Sequence, residues 1–167
     1  MGKFNGDLYL GGESAGGNLA AVLTSLNYDD DFKTLSGEKI KGLVLVYPCV
    51  DNDFSRNSWV VHKDAFLSAL QMKNYWDLYQ ITNYDDFRVF PIKTPDHILK
   101  LYPPTLLILA DHDVLLDEGL DFSNKIPGSQ TTVYNRTIHG FFGRPLFSDG
   151  FNALYQVASF FKSLNKQ

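Results

Sequence analysis

Three side chains far apart in this chain could together do nucleophilic chemistry: a serine set between glycines, an aspartate behind an apolar run, and a late histidine next to a glycine. Gly12-Glu13-Ser14-Ala15-Gly16 has the G-x-S-x-G spacing of a nucleophile elbow. Such an elbow is a turn between strand and helix so sharp that the serine takes a strained backbone conformation and its Oγ projects clear of the sheet. Glycines two residues to either side are expected to let strand and helix pass without clashing. The helix N-terminus behind Ser14 aims amide donors and positive dipole at any oxyanion formed there, and the Ala15 N–H is the natural first donor. A glycine-rich turn with an incidental serine would carry the same five residues, so the motif gains weight only if a base and an acid follow.

Both follow. His139 is embedded in Ile138-His139-Gly140-Phe141, where the adjacent glycine is expected to leave room for the imidazole to turn toward Ser14. The acid should lie just beyond the C-terminal end of a strand, where catalytic groups gather in open α/β sheets, and Asp113 sits three residues past the apolar run ending at Ala110. Asp111 is its rival. The plainer role for Asp113 is to help cap the next helix, which Asp117 or Glu118 could do as well. His62, His97 and His112 lack such a setting and read as surface or loop histidines, with His112 adjoining Asp113.

The elements that must position these residues alternate between strand and helix, the pattern of a mostly parallel sheet with covering helices. Asp7-Leu8-Tyr9-Leu10 reads as a short buried strand stopped by Gly11-Gly12, followed by a helix with Leu19, Val22, Leu23 and Leu26 on one stripe. The polar stretch 27–38 reads as a surface connection. Residues 42–47 form a second buried strand closed by Pro48, residues 105–110 a third, and Asp117 to Lys125 the helix after it, with acids at its start and a lysine at its end. Thr131 to Tyr134 makes a fourth strand. The tail from Phe151 to Leu164 is predicted to be a helix packing Phe151, Leu154, Tyr155, Ala158 and Phe161 on the sheet. Between residues 51 and 104 no sheet strand is expected, but a helix over 67–81 would bury Met72, Tyr75, Trp76 and Tyr79 along one stripe.

Composition bounds the partners. The chain has 167 residues, 44% hydrophobic and 20% charged, with a net charge of −4, so no cationic footprint points to nucleic acid or an anionic membrane surface. No apolar run is long enough to span a membrane. The lone Cys49 excludes an internal disulfide framework and a paired-cysteine metal or redox site, and fits a reducing compartment. The polar residues 1–6 lack a signal peptide, which gives a cytoplasmic expectation. Met1-Gly2 opens like a myristoylation signal, but Gly6 stands where Ser or Thr is wanted. The sequon Asn135-Arg136-Thr137 means little without export.

Residues 12–20, Gly-Glu-Ser-Ala-Gly-Gly-Asn-Leu-Ala, resemble the nucleophile segment of the hormone-sensitive-lipase-like esterases, a branch of the α/β-hydrolase fold. The order Ser, Asp, His along the chain is the order of that fold. Asp113-Val114-Leu115-Leu116-Asp117-Glu118-Gly119 is similar to the branch's acid segment, in which the first aspartate is catalytic; this resemblance favours Asp113 over Asp111. Val114 replaces the usual proline and Leu116 the usual arginine. Val46-Tyr47-Pro48, Pro103-Pro104-Thr105 and Ile138-His139-Gly140-Phe141 resemble further segments of the same branch.

The resemblance implies a carboxylic ester hydrolase that works through Ser14, His139 and Asp113 and an acyl-serine intermediate on a small acyl ester, with no metal or organic cofactor. The aromatics Trp59, Phe66, Trp76 and Tyr79 would be candidates for a pocket wall, although each is also an ordinary core residue type. Members of the branch have several strands and a His-Gly-Gly-Gly type oxyanion loop before the elbow, whereas thirteen residues precede Ser14 here. Residues 1–167 are therefore expected to form a partial α/β-hydrolase domain without its N-terminal strands, with 51–104 as a cap-like or irregular insertion. The strand 7–10 would then be an open edge through which the chain could self-associate. The alternative expectation is a weak or inactive hydrolase fragment that acts as a binding module, and hydrolysis of small amides is a chemically close variant.

Overall fold

Four parallel strands lie side by side in the order of the chain. The computed structural model describes residues 6–31 and 39–165. In it β1 (Leu8–Glu13) pairs with β2 (Ile40–Val46), β2 with β3 (Thr105–His112), and β3 with β4 (Gln130–Ile138). Parallel neighbours need long crossovers, and helices α1 (Ala15–Tyr28), α5 (Leu116–Lys125) and α6 (Ser148–Leu164) surround the sheet. Between β2 and β3 the chain makes α2 (Asn57–Val61), α3 (Ala69–Leu78), a 3-10 turn at Pro91–Lys93 and α4 (Asp96–Leu99), with no strand, as expected.

The near-continuous apolar runs of β2 and β3 follow from burial on both faces. Leu43, Leu45 and Leu107 point to one face and pack with Ala20 and Ala21 of α1 and Phe122 of α5. Val44, Val46, Leu106 and Ile108 point to the other and meet Ala153 and Phe160 of α6. A third cluster, built on Cys49, Trp59, Met72, Trp76, Phe90 and Val114, lies beneath the helices of residues 51–104.

Several elements depart from the sequence reading. β1 is not stopped by Gly11-Gly12 but runs through them to Glu13, and it is half-buried to exposed because β2 pairs with it on one side only among the described residues. The helix α1 reaches Tyr28, so the expected connection begins later, and residues 32–38 of it lie outside the described ones. Its buried residues include Gly17, Ala20, Ala21, Val22, Thr24 and Ser25, so of the expected stripe Val22 is buried, Leu23 and Leu26 are half-buried and Leu19 is 61% exposed. Small residues let the helix approach the sheet closely, and Leu19 is turned outward.

The same effect shifts α6. Its buried residues are Gly150, Ala153 and Phe160, while Phe151, Leu154 and Tyr155 are exposed. A Cβ on Gly150 would lie 2.5 Å from the Phe141 carbonyl oxygen, so close approach at the smallest residue decides which face is inward. In α3, shorter than the predicted helix, Met72 and Trp76 are buried whereas Tyr75 and Tyr79 are exposed. β4 extends past Tyr134 to Ile138, which carries its end level with β3.

Candidate active site

The strand ends position the site. Ser14, Tyr47, Asp113 and His139 are each the first residue after β1, β2, β3 and β4; the register brings the ends of β1 and β2 level, with Glu13 facing Val46, and those of β3 and β4 level, with His112 facing Ile138, while β3 runs on past Ile108, the partner of Val46. This is the carboxyl edge of a parallel sheet, where open α/β folds collect their functional groups.

Ser14 sits at φ 53° and ψ −120°, a left-handed conformation costly for a residue with a Cβ, and it is held there from both sides. Its N–H donates to the Val46 carbonyl at 2.9 Å, and its own carbonyl accepts from Asn18 N–H at 3.1 Å. The close approach that permits this turn is at Gly12, where a Cβ would fall 2.2 Å from the Gly16 carbonyl oxygen. Gly16 itself faces open space, so the expectation that both glycines are sterically required holds for Gly12 alone. Ala15 opens α1, and a first-turn amide has no acceptor within its own helix.

The three predicted side chains come together. His139 Nε2 lies 2.9 Å from Ser14 Oγ, and His139 Nδ1 lies 2.6 Å from Asp113 Oδ2. Asp113 is buried, and its other oxygen accepts the Leu115 N–H at 3.0 Å, which fixes the carboxylate plane. Asp111 is occupied elsewhere, with Oδ1 2.7 Å from His112 Nδ1 and accepting from Thr137 N–H at 3.0 Å. β3 runs on through Asp111 and His112, so Asp111 is held inside the strand, where its carboxylate meets the Thr137 amide of β4, while Asp113 stands just past the strand's end and is free to meet His139. Gly140 has φ +80°, and a Cβ there would make no contact closer than 3.7 Å. The glycine next to His139 is thus required by its backbone conformation, not by space for the ring.

The array can transfer a proton from Ser14 to the imidazole, with Asp113 setting the tautomer and balancing the imidazolium charge. Residues 2–143 match the family described as alpha/beta hydrolase fold.

The chain belongs to that family.

The match is to the hormone-sensitive-lipase-like branch that the motifs resemble. Vegetative-specific protein H5 of Dictyostelium discoideum is 33% identical over 147 residues, 82% of this chain and 42% of that protein. An esterase of Fusarium pseudograminearum is 27% identical over 128 residues, 73% of this chain and 38% of that one. The hyperthermophilic esterase of the archaeon Pyrobaculum calidifontis superposes with a TM-score of 0.83 at 30% identity, over 96% of this chain and 54% of its own. This α/β-hydrolase chain thus spans about two-fifths of the length of the curated relatives and about half of that solved esterase.

Around the relay the hydrolase fold adds residues that spacing did not reveal. The Tyr47 ring packs against His139 with centroids 4.4 Å apart, and its hydroxyl donates to Glu13 Oε2 at 2.7 Å. Burial and the neighbouring Glu13 carboxylate keep that phenol protonated far above its ordinary range. Its position straight after β2 was the available signal. Asn18, buried in the first turns of α1, donates through Nδ2 to the carbonyls of Cys49 at 2.8 Å and Val89 at 2.9 Å, tying elbow to insertion. Burial pushes the Cys49 thiol up to about 12, which leaves it a protonated wall residue.

A cavity of about 380 Å³ opens on Ser14 and is lined by Leu19, Cys49, Leu67, Met72, Tyr75 and Trp76 among others, with no charged side chain. Of the aromatics proposed as pocket wall, Trp76 and Tyr79 line this cavity. Phe66 does not; it lines a separate cavity that His139 also borders. Trp59 is buried against Phe54, with ring centroids 4.7 Å apart, and serves the core. His62 and His112 approach each other at 5.4 Å between ring centres, and His97 is exposed on α4. Among the described residues no three His, Cys, Asp or Glu side chains converge as a metal ion would need, and no helix is long and apolar enough to cross a membrane.

Proposed function

We propose that this chain carries the catalytic centre of a carboxylic ester hydrolase. The observation that carries the reading is the unbroken relay from Ser14 Oγ through His139 to the buried Asp113, at the floor of an apolar cavity. Ser14 Oγ attacks the ester carbonyl while His139 Nε2 takes its proton, and the tetrahedral oxyanion meets the Ala15 N–H. Collapse expels the alcohol, which receives the proton back from the imidazole and leaves an acyl-Ser14. Water, deprotonated by the same nitrogen, then releases the acid and restores the serine.

The uncharged lining of the cavity favours a small neutral acyl chain, and the helices of residues 51–104 act as a cap over it. That cap is anchored to the site: Ser58 Oγ donates to the Val114 carbonyl at 2.8 Å, Ser58 N–H to Asp117 at 2.8 Å, and Ile92 N–H to the Val50 carbonyl at 3.2 Å. The esterases among the relatives and the solved structures support this reading.

The test is hydrolysis of a chromogenic butyrate ester and labelling by a fluorophosphonate. Both should be lost in Ser14→Ala. Equal ester turnover by the two proteins, or labelling that survives the substitution, sinks the assignment.

A further inference from the structure

Ser14 and His139 open on different cavities. Beyond the imidazole lies a second one of about 420 Å³, walled by Phe66, Pro145, Leu146 and Phe147 and carrying the guanidinium of Arg144. In the ester-hydrolase reading, on which this inference rests, His139 must hand its proton to the departing oxygen. The leaving alcohol therefore lies on the imidazole's side of the reacting carbon. His139 borders this second cavity and Ser14 the uncharged one, which assigns the former to the leaving alcohol and the latter to the acyl group.

The second cavity has an unusual lining. Leu146 is 86% exposed and Phe66 65% exposed, so its apolar walls are uncovered. Arg144 is its charged side chain, and the guanidinium folds back over Gly140, with Nη2 and Nε 3.8 Å and 3.9 Å from where a Cβ on that glycine would sit. Among the described residues Arg144 makes no ion pair, and Asp149, the acid nearest in sequence, accepts instead from Asn152 at 3.0 Å. The backbone that carries it is fixed: Arg144 N–H donates to the Phe141 carbonyl at 3.2 Å, Phe147 N–H to the Arg144 carbonyl at 3.1 Å, and Gly143 N–H to the Gly150 carbonyl at 3.1 Å. A pinned loop thus holds an uncommitted planar cation beside apolar walls and over Gly140, the residue next to His139, which is the proton donor for the leaving group.

We propose that Arg144 is a specificity residue that selects esters whose leaving alcohol has an apolar or aromatic body bearing a carboxylate. A guanidinium presents paired N–H donors that match a carboxylate, and Phe66 and Leu146 would cover the body of the same group. The reaction stays balanced as ordinary hydrolysis: ester and water give the carboxylic acid and the anionic alcohol.

The experiment compares 3-butyryloxybenzoate with its uncharged counterpart 3-butyryloxybenzamide. The ratio of their kcat/KM values, anionic over neutral, should fall about five- to tenfold in Arg144→Gln and recover in part in Arg144→Lys, the size expected of a partly exposed charge-assisted contact. An unchanged ratio overturns the proposal. Binding of free 3-hydroxybenzoate, followed by NMR titration in the Ser14→Ala protein with and without Arg144→Gln, reads the same subsite without turnover. Weaker binding of the benzoate, but not of 3-hydroxybenzamide, in the double variant supports it, and equal weakening of both or of neither overturns it. If no Ser14-dependent hydrolysis occurs at all, the ester-hydrolase reading fails, and the binding comparison still decides whether Arg144 recognises the carboxylate.

Discussion

Two aspartates two positions apart have different tasks, and the difference is set by where each one stands, Asp111 inside β3 and Asp113 just past its end. Asp113 is buried, hydrogen-bonded to the Leu115 amide and aimed at His139 Nδ1; Asp111 is drawn toward His112 and the Thr137 amide. Asp113→Asn keeps the shape but presents an amide where the imidazole needs an acceptor that balances its charge. It should lower kcat for a butyrate ester by on the order of a thousandfold, whereas Asp111→Asn should stay within about tenfold of the parent. Comparable losses in the two variants would return the acid assignment to an open choice. Tyr47 makes a finer case. Tyr47→Phe keeps the ring under His139 and gives up the bond to Glu13, while Tyr47→Leu removes the aromatic face on which the imidazole rests. The leucine variant should lose more of kcat than the phenylalanine variant, by about three- to tenfold, since ring contacts of this kind contribute roughly 0.5–1.5 kcal/mol.

At the scale of elements, the elbow depends on one close approach and not on a symmetric pair of glycines. Gly12→Ala would place a methyl 2.2 Å from a backbone oxygen that cannot move without unwinding the start of α1. The expected cost is more than about 2 kcal/mol, read from the urea midpoint, together with loss of fluorophosphonate labelling. Gly16→Ala meets nothing and replaces a helical glycine, so its stability should stay within about 1 kcal/mol of the parent, with any change tending upward. Destabilisation of the same size in both variants would refute the asymmetry. The contrast also marks what the sequence could tell. The convergence of Ser14, Asp113 and His139 was legible because local signals mark each strand end: the elbow glycines around Ser14, the buried apolar run before Asp113, and the glycine after His139. The inward faces of α1 and α6 were not, because the reading followed the largest apolar side chains, while packing followed the smallest. Gly17, Ala20 and Gly150 set the distance of closest approach, and Leu19, Phe151 and Leu154 turned outward as a result. Tyr47 and Arg144 were hidden for another reason: their roles arise only when separate strand ends and loops meet.

At the scale of the whole molecule, the parts are tied together through a single buried acid. Glu118 lies in the first turn of α5, and its Oε1 accepts the Val50 N–H at 2.7 Å and the Asp51 N–H at 3.2 Å. One turn earlier on the same stretch Asp113 holds His139, and the adjoining Asp117 holds Ser58. The chain leaving β2, the helices of residues 51–104 and the acid loop are therefore fastened at one point. Burial pushes the Glu118 carboxyl from 4.5 up to about 8, and both amide donors fall on one oxygen, leaving the buried Oε2 to carry the proton. Between pH 4.5 and about 8 the folded chain keeps a proton that the unfolded chain has released. Folding stability from this group must then fall as pH rises through that window, is unaffected below it, and shows the full loss above it. Glu118→Gln supplies a neutral group of the same shape, with an oxygen for the two amides. The stability of the variant relative to the parent should rise by a few kcal/mol, on the order of 1.4 kcal/mol per pH unit crossed, as urea unfolding is repeated from pH 5 to pH 9. A difference that stays flat across this range would mean that Glu118 folds as a carboxylate, and the fastening of the three segments would then rest on an ion and not on a buried neutral acid.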